Sequence, residues 1–136
     1  MASEQARYYR RKENTTVTAA QLDLDTLGFT YTKWGGEQRC RRGDWLINSE
    51  EDCYTVANLT FARTYREVSP GRYSKHTRVR ATQAKSSGKI TTHEGETAYS
   101  AGDYLIENDD DGADRYAISK QRFHELYELV DEPWSG

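Results

Sequence analysis

Side chains that could together bind an anion lie close to one another in the first half of the chain. The candidate site consists of Tyr31, Lys33, Trp34, Arg39, Arg41, Arg42 and Tyr73. Arginine presents a planar fork of donors that fits carboxylate and phosphate, and tyrosine or tryptophan rings can stack on a planar ligand. We therefore predict a site for an anionic small molecule such as a nucleotide. The alternative is a solvated cationic surface without a ligand.

Residues suited to catalysis or metal binding are few. His76, His93 and His124 stand singly in the sequence, and the two cysteines are Cys40 and Cys53. Glycine-rich phosphate loops, nucleophile elbows and Cys-x-x-Cys pairs are absent from the sequence. We expect no metal and no cofactor, and we favour a non-catalytic binding or interaction protein. A small enzyme with a cleft between two repeated units is the alternative.

Two segments of the chain resemble each other. Gly43-Asp44-Trp45-Leu46-Ile47 matches Gly102-Asp103-Tyr104-Leu105-Ile106 at an offset of 59, and Tyr54, Phe61 and Tyr65 match Tyr116, Phe123 and Tyr127 at an offset of 62. Internal repeats of this kind indicate repeated structural units. Because each copy is too small to bury a large core alone, we expect the copies to share one. The Gly-Asp pair suits a tight turn and is interpreted as scaffold.

The predicted fold class is α+β, with two pseudo-symmetric units that each contain a β-hairpin and a helix. Residues 1–13 are expected to form a flexible basic arm. Residues 14–136 form a single domain with repeats over 14–68 and 76–131, joined near 69–75. We expect Asn58 to cap a short helix and Ser119 to cap a longer one, whose apolar stripe extends to Val130.

The segment from Arg42 to Tyr65 resembles a family of small bacterial and phage proteins named for a Pro-Gly-Asp-Tyr-Gly signature. The likeness covers residues 36–66 and again 95–128, as a tandem duplication. Arg42 and Ala101 stand where the signature has Pro, and Leu46 and Leu105 stand where it ends in Gly. That family has no assigned activity. The resemblance implies a hairpin-based fold unit and a bacterial or phage setting, and it implies no reaction.

Charge is distributed unevenly along the chain. The formal net charge is −3, yet 16 of the 19 Lys and Arg residues lie in residues 1–89 and 12 of the 22 Asp and Glu residues lie in 90–136. This asymmetry predicts a protein partner, or self-association as a homodimer, as an alternative to a small ligand. The acidic second part disfavours nucleic acid, although binding stays possible.

The polar composition points away from the membrane. No apolar run approaches the ~18 residues that a membrane-spanning helix requires, and the N-terminal segment has no apolar stretch typical of a secretion signal. We therefore expect no membrane association and a cytoplasmic location, with Cys40 and Cys53 reduced.

Overall fold

The computed structural model describes residues 7–13, 15–50, 52–108 and 114–130. The strands in the first part of the chain are β1 (Arg7–Arg11), β2 (Val17–Gln21), β3 (Phe29–Lys33), β4 (Gly36–Cys40), β5 (Trp45–Ser49), β6 (Asp52–Val56), β7 (Tyr65–Ser69) and β8 (Arg72–Lys75). Those in the second part are β9 (Val79–Gln83), β10 (Gly88–Thr91), β11 (Glu96–Tyr99), β12 (Tyr104–Glu107), β13 (Arg115–Ile118) and β14 (Tyr127–Leu129). The helices are α1 (Asn58–Thr64) and α2 (Lys120–Leu126).

Two five-stranded sheets with equivalent strand orders make up most of the structure. Sheet I has the order β6-β5-β2-β8-β7, and sheet II has the order β13-β12-β9-β1-β14. All strand pairs within them are antiparallel. Hairpins β3–β4 and β10–β11 form a two-stranded sheet each. The matching segments of the sequence therefore occupy matching positions in two sheets.

The N-terminal strand completes the sheet formed by the C-terminal half. β1 pairs with β9 on one side and with β14 on the other, in the place that β8 takes in sheet I. The flexible arm expected over residues 1–13 is thus a central strand over residues 7–11, whereas residues 1–6 lie outside the described part. Similarly, β8 lies within the expected junction at 69–75 and belongs to sheet I.

The predicted α+β class is wrong, because strands make up 55% of the structure and helices 12%. Part of the error comes from strands β1 and β8, in which a buried cation, Arg11 or Lys75, occupies an inward position. A charged residue at an inward position breaks the apolar alternation by which a strand is recognised in a sequence. Both segments therefore resemble polar loops until their long-range partners are known.

The helices also differ in length and capping from the prediction. Each helix has seven residues, and the backbone becomes extended at Tyr65 and at Tyr127. Ser119 caps α2 as expected, since its hydroxyl accepts from the Arg122 amide at 3.2 Å. Ala57 and not Asn58 is the N-cap of α1. Beyond α2, the backbone N–H and C=O groups of β14 form hydrogen bonds with β1. The residues of the apolar stripe after Leu126 are therefore in a strand and not in a helix.

Each sheet has its own hydrophobic cluster, which corrects the expectation of one shared core. Phe61 stacks between Trp45 and Tyr65 in sheet I, at centroid distances of 4.0 and 4.8 Å. Phe123 stacks in the same way between Tyr104 and Tyr127 in sheet II, at 3.9 and 5.3 Å. The space between the sheets is lined by polar side chains as well as apolar ones.

The two Gly-Asp pairs form the same turn. Gly43 and Gly102 have φ values of 93° and 96°, a conformation that favours glycine. Asp44 accepts from the Arg41 amide at 2.9 Å, and Asp103 accepts from the Ser100 amide at the same distance. The aspartates therefore hold turns, as the repeat indicates.

The hairpins β3–β4 and β10–β11 contact each other, with an antiparallel bridge between Gln38 and Gly95, and so join the two halves. Gln38 is fully buried, and its Nε2 donates to the carbonyls of Lys33 at 3.0 Å and Glu96 at 2.5 Å. Gly95 lies so near the Glu37 carbonyl that a Cβ atom there would overlap it. These contacts fix the geometry of the space between the sheets.

Candidate functional site

A cavity of about 340 Å³ lies between the two halves of the molecule. Both halves contribute at equivalent positions, because β6 supplies Tyr54 and Val56 and β13 supplies Tyr116 and Ile118. Helices α1 and α2 and hairpin β10–β11 contribute further residues. We call this space the central cavity.

Two buried cations reach the central cavity from equivalent strands. Lys75 on β8 lies opposite Tyr65 on β7, and Arg11 on β1 lies opposite Tyr127 on β14. Lys75 is 6% exposed and Arg11 is 9% exposed, and both line the cavity. Lysine and arginine are rarely this buried without a partner of opposite charge.

Four tyrosines surround these two cations, and together the six residues form the tyrosine–cation cluster (Arg11, Tyr54, Tyr65, Lys75, Tyr116 and Tyr127). The Nζ of Lys75 donates to the hydroxyls of Tyr116 at 3.1 Å and Tyr127 at 3.3 Å. These two hydroxyls also form a short hydrogen bond with each other. The guanidinium of Arg11 lies 5.1 Å from the Tyr127 ring centroid. Tyr127 is therefore held between a lysine and an arginine.

Within the described residues, neither cation forms a salt bridge with a carboxylate. Four acidic residues line the cavity. Asp52 binds Lys33 at 2.9 Å and Asp114 binds Arg63 at 2.5 Å, whereas Asp103 accepts from the Ser100 amide and Glu94 accepts from the Ala57 amide at 2.8 Å. Burial raises the pKa of Glu94. Among the described residues, the acidic groups that contact these two positive charges are therefore phenols. A buried charge without compensation costs several kcal/mol, at order of magnitude.

The positive charges of the cluster favour the ionised form of Tyr127. Burial alone would raise the pKa of Tyr127, but attraction to Lys75 and Arg11 and the hydrogen bonds from Tyr116 and Arg11 lower it to about 7. Burial raises the pKa of Tyr116 well above its ordinary value, and the nearby Tyr127 phenolate adds to this effect. The tyrosine pair therefore loses one proton near pH 7 and keeps the other.

The same phenols also affect the pKa of Arg11. Burial would lower the pKa of Arg11, but attraction to Tyr127 and the other three tyrosines outweighs it and raises that pKa. Burial also raises the pKa of Tyr54 well above its ordinary value. Arg11 is therefore a permanent cation, and Tyr54 is a neutral hydrogen-bonding group.

Two polar atoms at the cavity have unused hydrogen-bonding capacity. The Nε of Arg11 and the Oδ1 of Asn108 are buried and form no hydrogen bond with the described residues. Both side chains line the central cavity. An unpaired donor on a cation is suited to an acceptor such as a carboxylate oxygen.

Apolar and aromatic side chains line other parts of the cavity. Val56, Ile118, Ala98 and Leu126 contribute aliphatic surface. Trp34 lies at the edge, 37% exposed, with its ring 5.7 Å from the Tyr54 ring centroid. The cavity thus combines a cationic end with walls suited to a ring or a short hydrocarbon.

Of the side chains predicted to bind the anion, the structure brings Trp34 to the cavity and places the others elsewhere. Lys33 binds Asp52, and the Tyr31 hydroxyl contacts the Thr55 hydroxyl at 2.5 Å. Tyr73 packs in the hydrophobic cluster of sheet I. These positions use the polar atoms of Tyr31 and Lys33 within the protein.

The three predicted arginines lie on the exposed surface of the first half. Arg39 donates to the Leu27 carbonyl at 3.2 Å, and Arg41 donates to the His93 carbonyl at 3.4 Å. Arg42 forms salt bridges with Asp23 at 3.1 Å and Asp25 at 3.8 Å. Each arginine has a separate set of partners.

Sequence reasoning missed the tyrosine–cation cluster, although part of its signal is visible. Tyr54 and Tyr65 recur as Tyr116 and Tyr127, and this repetition indicated scaffold. The equivalence of Lys75 and Arg11 has no counterpart in the linear repeat, because Arg11 precedes both copies and enters sheet II from the N-terminus.

Three further observations bear on function. Within the described ranges, no group of three or more His, Cys, Asp or Glu side chains is placed to hold a metal ion. Neither of the two helices that the structure describes is long and apolar enough to cross a lipid bilayer. Comparisons with family models, curated proteins and solved structures found no match to this chain.

Proposed function

We propose that this protein binds a small organic anion in the central cavity. The anionic group of the ligand pairs with Arg11 and Lys75, and its apolar part lies between Tyr54, Tyr116 and the aliphatic walls. This proposal keeps the anionic ligand that the sequence suggests and moves the site from the exposed arginines to the space between the sheets. The bacterial or phage origin suggested by the signature stays part of the proposal.

The observation that carries the proposal is the pair of buried cations that have no carboxylate partner within the described ranges of the chain. Among the described residues, Lys75 hydrogen-bonds two phenols, and Arg11 keeps a free Nε donor beside the cavity. A protein that only needed stability would gain from apolar residues at these positions. An anionic ligand explains why both halves of the molecule direct a cation to the same cavity.

The size of the cavity favours a compact ligand. Its volume of about 340 Å³ is at the lower end of the range for small-molecule sites, which begins at roughly 300 Å³. A carboxylic acid with one or two rings matches both the volume and the division into cationic and apolar regions. Benzoate and naphthoate are therefore suitable first probes.

The proposal is tested by titrating benzoate and naphthoate into the protein and following tryptophan fluorescence, because Trp34 lies at the cavity edge. We expect the variant Lys75→Met to bind at least ~30-fold more weakly, since removing one member of a buried charge pair costs about 2 kcal/mol or more. Arg10→Met is the matched control, because Arg10 is exposed on the same strand as Arg11 and contacts Glu128.

Equal affinity in wild type and Lys75→Met would contradict the proposal, as would the absence of binding by every acid tested. Circular dichroism of each variant shows whether the fold is kept. Arg11→Met provides a second, independent variant from the other sheet. The triple variant of Arg39, Arg41 and Arg42 to Gln tests the surface site suggested by the sequence, and we expect it to keep wild-type affinity.

A second candidate function, a small enzyme with a cleft between the units, is favoured by the contact between Lys75 and Tyr127. A tyrosine whose pKa lies near neutrality can donate or accept a proton during a reaction. Nuclear magnetic resonance of a bound acid over time tests this candidate. Chemical change of the acid in wild type but not in Tyr127→Phe would support it, and an unchanged spectrum would count against it.

A further inference from the structure

We propose that Tyr127 is the resident counter-ion of the cavity, and that binding of a ligand anion is coupled to the transfer of a proton to Tyr127 through Tyr116. The protein then takes up a carboxylic acid as an anion plus one proton. This inference rests on the proposed function and adds a ligand class and a role for two tyrosines. Its geometric basis is that Tyr116 lines the cavity and is hydrogen-bonded to the more deeply buried Tyr127.

Tyr116 lies between the cavity and Tyr127. Tyr116 lines the central cavity and is partly buried, whereas Tyr127 is 3% exposed. The two hydroxyls are hydrogen-bonded to each other, and Lys75 donates to both. A proton that arrives from the cavity therefore meets Tyr116 first and has a direct hydrogen bond to Tyr127.

The charges around Tyr127 determine how the pair responds to an anion. The groups that face it are Arg11 on β1, Lys75 on β8 and Tyr116 on β13, and the hydroxyls of Tyr54 and Tyr65 act on the same guanidinium. Without a ligand, the phenolate of Tyr127 compensates one of the two cations. A ligand carboxylate brings a second negative charge to the same cations, which disfavours the phenolate and favours the phenol.

The proton transfer is balanced without any other reactant. The proton comes from the carboxyl group of the acid, or from solvent when the acid is already ionised. It bonds to the Tyr116 oxygen while the Tyr116 hydrogen moves to the Tyr127 oxygen. The ligand keeps its electron pair as a carboxylate beside Arg11 and Lys75, and no atom is oxidised or reduced.

This coupling predicts a specific pH dependence of ligand binding. Above about pH 7 the phenolate predominates, so each bound anion must be accompanied by a proton. We expect benzoate affinity in wild type to fall about ten-fold per pH unit between roughly pH 7.5 and 9. In Tyr127→Phe, which lacks the titrating group, the profile over this range is expected to be flat.

Calorimetry of benzoate binding at about pH 8, in two buffers with different ionisation enthalpies, measures the proton directly. We expect uptake of close to one proton in wild type and close to none in Tyr127→Phe. The ultraviolet absorbance of tyrosinate is expected to fall on binding in wild type by the amount of one tyrosine. Wild-type data alone test the coupling if the variant does not fold.

The result that overturns this inference is benzoate binding in wild type without proton uptake and with unchanged tyrosinate absorbance. That result leaves the proposed function intact, since the anion would still bind to Arg11 and Lys75. Failure of the proposed function has a different signature, which is no benzoate binding at any pH or equal binding by Lys75→Met. Either form of that failure overturns this inference as well.

Discussion

The charge on Tyr127 predicts that the protein becomes more stable as the pH rises from 7 to 9. The pKa of Tyr127 is about 7 in the folded protein, compared with an ordinary value of 10.0. A group whose pKa is lowered by folding stabilises the folded state above the unfolded pKa. That stabilisation is lost as the pH falls through the folded pKa. The pH window is therefore 7 to 10.

The magnitude follows from the two pKa values. Their difference corresponds to about 4 kcal/mol, at about 1.4 kcal/mol per pKa unit. About 2 kcal/mol of this is gained between pH 7 and 9. Above pH 9, the raised pKa of the buried Cys40 thiol acts in the opposite direction, so the narrower interval isolates Tyr127.

Urea unfolding at several pH values provides the assay. With a slope of roughly 1–3 kcal/mol per molar urea, the gain raises the unfolding midpoint of wild type by about 1 M. The variant Tyr127→Phe is expected to show almost no change between pH 7 and 9, and to be much less stable than wild type at pH 9. A flat wild-type profile, or the same slope in wild type and variant, would show that ionised Tyr127 does not stabilise the folded protein.

Three further predictions concern the scaffold and the charge cluster. Asp44→Ala is expected to destabilise the protein by about 1 kcal/mol more than Asp103→Ala in urea unfolding, because Asp44 also accepts from the amide that begins α1, at 3.0 Å. Gly95→Ala is expected to cost about 2–3 kcal/mol, because its Cβ would overlap a carbonyl of the neighbouring hairpin. Gly71→Ala has open space and is expected to cost about 1 kcal/mol through its φ of 77°. Equal losses within either pair would contradict these assignments. Lys75→Met is expected to raise the pKa of the first tyrosine to ionise above about 7 in an absorbance titration, and an unchanged titration would show that Lys75 does not stabilise the phenolate.

Local patterns in the sequence predicted the two hairpins that follow the Gly-Asp turns. The sequence from Phe29 to Trp34 alternates aromatic with polar residues, the period of a strand with one buried face, and β3 covers most of it. The two Gly-Asp turns and the strands that follow them are confirmed by the pairing of β5 with β6 and of β12 with β13. These features depend on contacts between residues close in sequence, which is why short patterns reveal them.

The parts that the sequence did not reveal depend on distant contacts. Arg11 and Tyr127 pair directly although 116 positions separate them in the chain. β1 and β8 each direct a cation inward, so neither shows the apolar alternation of a buried strand. The helix that was expected to extend to Val130 ends at Leu126, because the extended backbone beyond it pairs with β1.

The cations of the central cavity were not predicted from the sequence for the same physical reason. Exposed arginines such as Arg39, Arg41 and Arg42 stand out in a sequence because they cluster over a few residues. The cations at the central cavity are single residues in separate strands, and topology alone brings them together. A buried cation pair that lacks a carboxylate can be recognised only once the structure shows which groups surround it.

The most direct test of anion binding in the central cavity is a crystal structure of the protein soaked with 4-bromobenzoate, in which bromine is located by anomalous scattering. We predict bromine in the central cavity, with the carboxylate against Arg11 and Lys75 and the ring beside Tyr54 and Tyr116. Bromine at the exposed surface around Arg41, or a cavity without bromine although the acid binds in solution, would contradict it.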